Sequence, residues 1–288
     1  MKYDLLVLDV DGTLVAADNI VPADIARAVR NAEQAGLKIC LATGRSYSET
    51  LPVWRQLKLA GPHLPLVVIG GALVSEPDTG RSLYHKPIAH DVACRFGDIL
   101  GAAGYCAMAI VDKWRHDVEY LMTETGDVED AQRRWFSKMN VKVRRVSALS
   151  DVGSSLEVSG MPEILRISTV VDPENAADLV ERLRTETGDQ VEVHAIVAPN
   201  YGVMIVEAHA VGANKRTAVN YIAQASGTPL SRVAAVGDDI NDIPILSAAG
   251  LGVAMPDAPD SVCTEADMVA VDGLAAFIDR LARGEFDD

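Results

Sequence analysis

Short apolar runs that end in small or acidic turns, each followed by a stretch with helical spacing, recur at both ends of this chain. Leu5-Leu6-Val7-Leu8 is apolar throughout, which reads as a strand buried on both faces, as in a parallel sheet. It runs into Asp9-Val10-Asp11-Gly12-Thr13-Leu14. Ile25, Val29 and Ala32 then fall on one helical face, and Gly36 is a stop signal. Residues 37–42 form a second apolar run, ending in Thr43-Gly44-Arg45-Ser46, with a helix expected over 47–59. A third buried strand at 65–69 ends in Gly70-Gly71-Ala72, and 73–81 reads as a hairpin turning on Pro77, Asp78 and Gly80.

The pattern changes between Tyr84 and Asp91. Helices are expected over 92–103, 127–139 and 175–186, the last with Ala176, Leu179, Val180 and Leu183 on one face. Strands are expected at 107–111, 118–122, 141–144, 164–171, 191–198 and 203–207. The first pattern then returns. Gly212-Ala213-Asn214-Lys215 opens a helix over 216–225, and a strand at 233–236 ends in Gly237-Asp238-Asp239-Ile240-Asn241-Asp242 with a helix through Ala248. Strands at 252–255 and 268–271 and a helix from Leu274 follow, with a frayed tail from Gly284 to Asp288. There are no internal repeats or low-complexity tracts. The fold class expected is α/β: a doubly wound, Rossmann-like parallel-sheet core made of residues 1–84 and 208–288, with an α+β domain, 85–207, inserted into it.

Composition narrows the function. The 288 residues are 49% hydrophobic and carry a formal net charge of -15, which argues against a nucleic-acid partner, since such binding needs basic patches. A small anionic substrate is compatible, because a local metal and a few cations can dominate one site. No apolar run reaches the ~18 residues of a membrane span, and the N-terminus opens on a strand rather than a signal sequence, so a cytoplasmic protein is expected. Cys40, Cys94, Cys106 and Cys263 are scattered without a CxxC pair, which leaves zinc and redox motifs unsupported.

The candidate chemistry lies at the strand ends. On an extended chain residues two apart point to the same side, so Asp9 and Asp11 are expected to meet just beyond the first strand. Paired carboxylates repel each other, and a hard cation such as magnesium relieves that repulsion. A calcium loop of the EF-hand kind fails, because Leu14 and Ile20 stand where Gly and Glu are needed. Each feature alone also has an ordinary reading. Asp-x-Asp-Gly is a common turn, Thr43 suits a helix cap, and Lys215 at a helix start suits a solvated surface. Asp238, Asn241 and Asp242, spaced to share a helical face, suit a helix dipole. Taken together, Asp9, Asp11, Thr43, Lys215, Asp238, Asn241 and Asp242 assemble what phosphoryl transfer needs: a nucleophile, a proton carrier, a metal site, a hydroxyl donor and a cation.

In order and spacing these motifs resemble the haloacid dehalogenase (HAD) superfamily, and within it the Cof-like hydrolases with a large α/β cap of type IIB. The Asp9–Leu14 stretch matches the first motif, Thr43 in Ala42-Thr43-Gly44-Arg45 the second, Lys215 the third and the Gly237–Asp242 stretch the fourth. The resemblance covers nearly the whole chain. It implies that Asp9 is a nucleophile forming an aspartyl-phosphate, and that Asp11 protonates the leaving alcohol and then activates water. It further implies Mg2+ held by Asp9, the backbone carbonyl of Asp11 and Asp238, with Asp242 acting through water. Thr43, Gly44, Lys215 and Asn241 would contact the phosphoryl group. Three positions depart from the common pattern: Gly70-Gly71-Ala72 where many relatives have Asn-Gly-Ala, Arg216 where many have Gly, and Asp257-Ala258 in place of Asn-Ala.

The implied function is a magnesium-dependent phosphatase acting on a small phosphomonoester, a sugar phosphate or similar metabolite. Alternatives in the same class are phosphoglycolate, sucrose-phosphate or mannosyl-phosphoglycerate phosphatases, or a phosphomannomutase-like enzyme. A different class is the phospho-accepting signalling module, whose motif order differs. The inserted domain is expected to set specificity by covering the site. Lys113, Trp114, Arg115 and His116 are expected in a loop that either reaches a polar leaving group or is a solvated turn. The substrate, the pathway and the choice between monomer and homodimer are not legible.

Overall fold

The computed structural model describes residues 2–124, 141–151, 162–198 and 202–287. In chain order it begins with β1 (Leu5–Leu8), α1 (Ala23–Gln34), β2 (Lys38–Leu41), α2 (Tyr47–Leu57), β3 (Leu66–Val68), β4 (Leu73–Ser75) and β5 (Ser82–His85). There follow α3 (His90–Ala102), β6 (Met108–Val111), α4 (Lys113–His116), β7 (Tyr120–Thr123), β8 (Val143–Val146), β9 (Ile164–Val171), α5 (Pro173–Thr187), β10 (Val191–Ala198) and β11 (Val203–Ala210). The last part holds α6 (Lys215–Ala225), β12 (Val233–Gly237), α7 (Ile243–Leu246), β13 (Leu251–Ala254), α8 (Asp260–Glu265), β14 (Met268–Val269) and α9 (Leu274–Ala282). The chain divides into two compact units, Met1–Tyr84 with Asn214–Asp288, and His85–Ala213.

The first unit is built on a parallel sheet of order β14-β13-β12-β1-β2. β1 lies inside the sheet, with Leu8 in register with Val236 on one side and Leu41 on the other. A parallel bridge between Ala42 and Val67 brings β3 alongside β2. Leu5 and Val7 pack in one buried cluster with Ala218, Val219 and Ile222 of α6. Leu6 and Leu8 are equally buried and, by alternation along the strand, face the other way. α1 packs against α9, and its Ala26, Ala28, Val29 and Ala32 are buried. The chain leaves β1 toward β2 on one side and later fills β12, β13 and β14 on the other. That reversal of strand order opens a crevice at the carboxyl ends of β1 and β12.

The second unit is a sheet of order β10-β11-β9-β6-β7-β8, antiparallel except for the β7–β8 pair. α3 and α5 pack on it. This gives the α/β core and the separate α+β sheet domain that the hydrophobic pattern implies. The return to the first unit comes later than the expected residue 208. β11 keeps pairing with β10 through Ala210, and a turn bond from Ala213 N–H to the Ala210 carbonyl (2.8 Å) closes it. The helix expected at 127–139 lies outside the described residues.

Other elements differ locally. The expected loop 113–116 is a helical turn, started by Asp112, whose Oδ1 accepts from Trp114 N–H at 2.9 Å. The helix expected after Gly237 is a 3-10 turn, Ile240–Asp242, running into the short α7. The tail is not frayed up to Asp287: the Phe286 ring packs 5.5 Å from that of Phe277, and Asp287 Oδ1 accepts from Lys2 N–H at 2.7 Å.

Candidate active site

β1 ends at Leu8, and Asp9 is the first residue beyond it. Its N–H still bonds to the Val236 carbonyl at 3.0 Å, so its backbone belongs to the sheet while its side chain enters the crevice. The chain then turns at once: Leu14 and Val15 N–H both bond to the Val10 carbonyl, at 2.9 and 3.0 Å. The two aspartates differ in setting and partner, though both charges act on Arg45. Asp9 is buried and takes Lys215, whereas the Asp11 side chain is 63% exposed and takes Arg45.

Lys215 is the unexpected centre of the site. At the first position of α6 it is only 1% exposed, not a solvated surface residue. Its Nζ donates to Asp9 Oδ1 and to Asp242 Oδ1, both at 2.6 Å. The helix start is fixed by Asn214, whose Oδ1 accepts from Thr217 N–H at 3.0 Å. A close approach of the Gly70-Gly71 turn also fixes it, since a Cβ on Gly71 (φ +99°) would stand 2.2 Å from the Asn214 carbonyl oxygen. Glycine is required there by both space and backbone.

Asp242 is held by the turn it sits in. Its second oxygen accepts from Asp238 and Asp239 N–H, each at 3.1 Å, and a Cβ on Gly237 would fall 2.2 Å from its Cγ. Asp238, half-buried, accepts from Thr13 Oγ1 at 3.0 Å. It fills the space that a side chain on Gly12 would take, for a Cβ there would stand 2.0 Å from its Oδ2. Gly12 also has φ +74°, so turn and pocket make the same demand. Asn241 is exposed, apart from the buried Asp242. The expected shared helical face is absent because a 3-10 turn occupies this stretch.

Carboxylate oxygens of Asp9, Asp238 and Asp242 lie within 4.8 Å of one another, a donor set suited to a hard cation. Three carboxylates against one ammonium leave two negative charges in a largely buried place, which a divalent ion would neutralise. Burial pushes the Asp9 carboxyl well above the usual range, Lys215 opposes this, and Asp242 and Asp238 add to it. Burial also raises Asp238 to about 6, against its bond from Thr13 and helped by the charge of Asp242. Burial works to discharge Lys215, but Asp242 and Asp9 outweigh it and hold the ammonium above its ordinary value. Lysine is thus the group that stays charged, and burial, helped by the neighbouring carboxylates, lifts Asp9.

Thr43, fully buried, lies two residues beyond β2. Its N–H bonds to the Val67 carbonyl at 3.0 Å, and its Oγ1 accepts from Arg45 N–H at 3.1 Å, so its hydroxyl proton is left to donate. Asn241 Nδ2 is 4.0 Å from where a Cβ on Gly44 would stand, which joins the second and fourth motifs.

Arg45, Asn19 and Thr13 take part in this network although the strand-end pattern did not single them out. Arg45 stood beside Thr43 and Gly44 as a clue. Asn19 has φ +60°, a property with no signature in the pattern. Arg115 does not project freely: its Nη1 pairs with Glu163 Oε2 at 2.7 Å and its Nε lies 3.5 Å from Asp112 Oδ2.

The family model for haloacid dehalogenase-like hydrolases matches residues 6–275. The 5-amino-6-(5-phospho-D-ribitylamino)uracil phosphatase YitU of Bacillus subtilis is 26% identical, over 96% of this chain and 97% of its own length. The pyridoxal phosphate phosphatase YbhA of Escherichia coli is 23% identical, over 96% and 98%. Among solved structures, the HAD subclass IIB sugar phosphatase BT4131 superposes with a TM-score of 0.75 at 20% identity, over 96% of this chain and 98% of that one. Among the described residues no helix is long and apolar enough to cross a membrane. With the match running from β1 into α9, the chain belongs to the haloacid dehalogenase-like hydrolase family, as an enzyme of its phosphatase branch.

Proposed function

We propose that this protein is a magnesium-dependent phosphatase that hydrolyses a small phosphomonoester, a sugar phosphate or similar metabolite, through an aspartyl-phosphate on Asp9. The observation that carries the reading is the buried Lys215 bridging Asp9 and Asp242 at 2.6 Å beside Asp238. A buried ammonium among carboxylates serves structure poorly, but it serves a site that must receive a dianionic phosphoryl group. Asp9, Asp238, Asp242 and the backbone carbonyl of Asp11 would hold Mg2+. When bound, the ion supplies charge neutralisation at the phosphoryl oxygens.

In the first step an Asp9 carboxylate oxygen attacks phosphorus as the bond to the ester oxygen breaks. Asp11 gives its proton to the departing alcohol oxygen. Lys215, the Thr43 hydroxyl, Gly44 N–H and Asn241 hold the phosphoryl oxygens as their charge shifts. In the second step water attacks phosphorus, Asp11 takes back a proton, and phosphate leaves with the Asp9 carboxylate restored. Lys215 keeps Asp9 ionised and aimed for the attack, and receives its carboxylate again when water has displaced it.

The substrate class is supported by the names of the relatives. They act on a phosphoribityl compound, on pyridoxal phosphate and on sugar phosphates, all small phosphate esters. Four free thiols suit a reducing, cytoplasmic setting. Phosphate release from a panel of such esters with Mg2+, repeated with EDTA, tests the reading. Release that stops with EDTA and returns with Mg2+ supports it. No release from any ester, with magnesium bound, refutes it.

A further inference from the structure

We infer that Arg45 is the positioning residue for the acid–base chemistry of Asp11, and that it acts by fixing the direction of that carboxylate. The inference rests on the phosphatase reading above. The backbone of Asp11 is already set. The Val10 carbonyl holds Leu14 and Val15, Gly12 N–H bonds to the Val15 carbonyl at 3.1 Å, and Asp11 pairs with Val15 in an isolated bridge. What is left free is the side chain, and at 63% exposure nothing apolar packs it into one rotamer. The Arg45 guanidinium does so instead. Nε donates to Asp11 Oδ2 at 2.8 Å and Nη2 to Asp11 Oδ1 at 2.5 Å. This two-pronged planar contact dictates orientation in a way a single bond does not.

Arg45 is itself held from several directions. Its N–H bonds to Thr43 Oγ1 at 3.1 Å, and its carbonyl accepts from Ile69 N–H at 2.8 Å. Ile69 has φ +53°, a rare conformation for a β-branched residue, kept by the surrounding turn. Nη2 also donates to Asn19 Oδ1 at 2.6 Å. Asn19 in turn gives its carbonyl to Gln56 Nε2, and Gln56 Oε1 takes Val21 N–H, both at 3.0 Å. Thus Gln56 of α2 braces the far end of the loop after β1, and the arginine spans from the Thr43 turn to Asp11. The guanidinium keeps its proton at all working pH values, so it transfers none. Its role is to present Asp11 to the leaving oxygen.

That role has a signature that neither substrate binding nor general structural support shares. An alkyl phosphate needs a proton on its leaving oxygen, whereas p-nitrophenyl phosphate expels a stable anion and needs little help. In Arg45→Ala, kcat for an alkyl phosphate such as glycerol phosphate is expected to fall on the order of 100-fold, and kcat for p-nitrophenyl phosphate less than about tenfold, with KM little changed. Arg45→Lys keeps the charge without the fork and is expected to show the same leaving-group dependence, less strongly. Added guanidinium is expected to restore alkyl phosphate turnover in Arg45→Ala. Asn19→Ala, which loosens the fork from outside, serves if Arg45→Ala does not fold, and is expected to shift the two substrates unequally in the same direction. Equal losses on both substrates in a folded variant overturn the inference, as does a rise in KM with kcat retained. A wild-type protein that releases phosphate from no ester of the panel overturns the phosphatase reading and this inference with it.

Discussion

Replacing Lys215 with methionine keeps the length of the side chain and removes the one positive charge among three carboxylates. In the wild-type protein Nζ makes two 2.6 Å contacts in a place only 1% exposed. Removing one partner of a buried pair costs roughly 3–5 kcal/mol, because the groups left behind are charged and dry. With a total stability of about 5–15 kcal/mol, that is a large share, and for a unit of this size it lowers Tm by roughly 10 °C. Two modulations distinguish this cause from a packing defect. Asp9 is already lifted by burial and by its neighbours, so without the lysine it takes up a proton more readily. The stability gap between variant and wild type is therefore expected to be widest near pH 8 and to narrow toward pH 5. Magnesium is expected to raise the Tm of Lys215→Met more than that of wild type, since the ion then meets three unopposed carboxylates. Turnover is expected to fall by at least about 100-fold. Thermal unfolding followed by circular dichroism across pH, with and without Mg2+, reads all of this. A variant within about 1 kcal/mol of wild type at pH 8, or a gap independent of pH, would show that the lysine does not hold charge in the site.

Gly12→Ala places a methyl group 2.0 Å from Asp238 Oδ2 at a position with φ +74°. A stability loss of roughly 1–2 kcal/mol is expected from the backbone alone, with Mg2+ affinity down at least tenfold by calorimetry, and unchanged affinity would separate Asp238 from the metal. Metal ligands must be deprotonated, and burial pushes Asp238 up to about 6 and lifts Asp9 as well. Mg2+ affinity is therefore expected to weaken as the pH falls toward and below 6, whereas a level affinity down to pH 5 contradicts the assignment. In the second unit, burial lowers His209 to about 4. The unfolded chain binds that proton near 6.5, so stability is full above pH 6.5 and declines as the pH falls toward 4, by up to ~3 kcal/mol. His209→Phe is expected to flatten that limb in urea titrations of the full chain, and an unaltered slope would assign it elsewhere.

How far the chain could be read depended on whether chemistry followed from local pattern. β1, β2 and β12 were legible because a buried parallel strand must be apolar throughout, and Leu5–Leu8 and Val233–Val236 are. The acidic turn Gly237–Asp242 was legible as a cluster, but not its shape. An i, i+3, i+4 spacing suits an α-helix, whereas the hydrogen bonds from Asp238 and Asp239 N–H to Asp242 hold it as a tight turn. Lys215 was legible only through its place in a set of motifs. Its burial arises from Asp9 and Asp242, which are distant in sequence. Asn19 and Arg45 depend on a left-handed residue and a bidentate contact across the loops, and neither has periodicity. In the second unit, the pairing of Arg115 was not legible, because its partner Glu163, just before β9, is remote in sequence.

The central claim is that Asp9 carries the phosphoryl group. Its most direct test is to quench the protein with acid during turnover of a good ester in Mg2+, reduce it with borohydride, and sequence the peptide covering residues 5–14 by mass spectrometry. An acyl phosphate on Asp9 is reduced to homoserine, so homoserine at position 9, absent without substrate and absent in Asp9→Asn, is the result expected. Steady turnover with Asp9 recovered unreduced, or homoserine at another aspartate, would contradict the account.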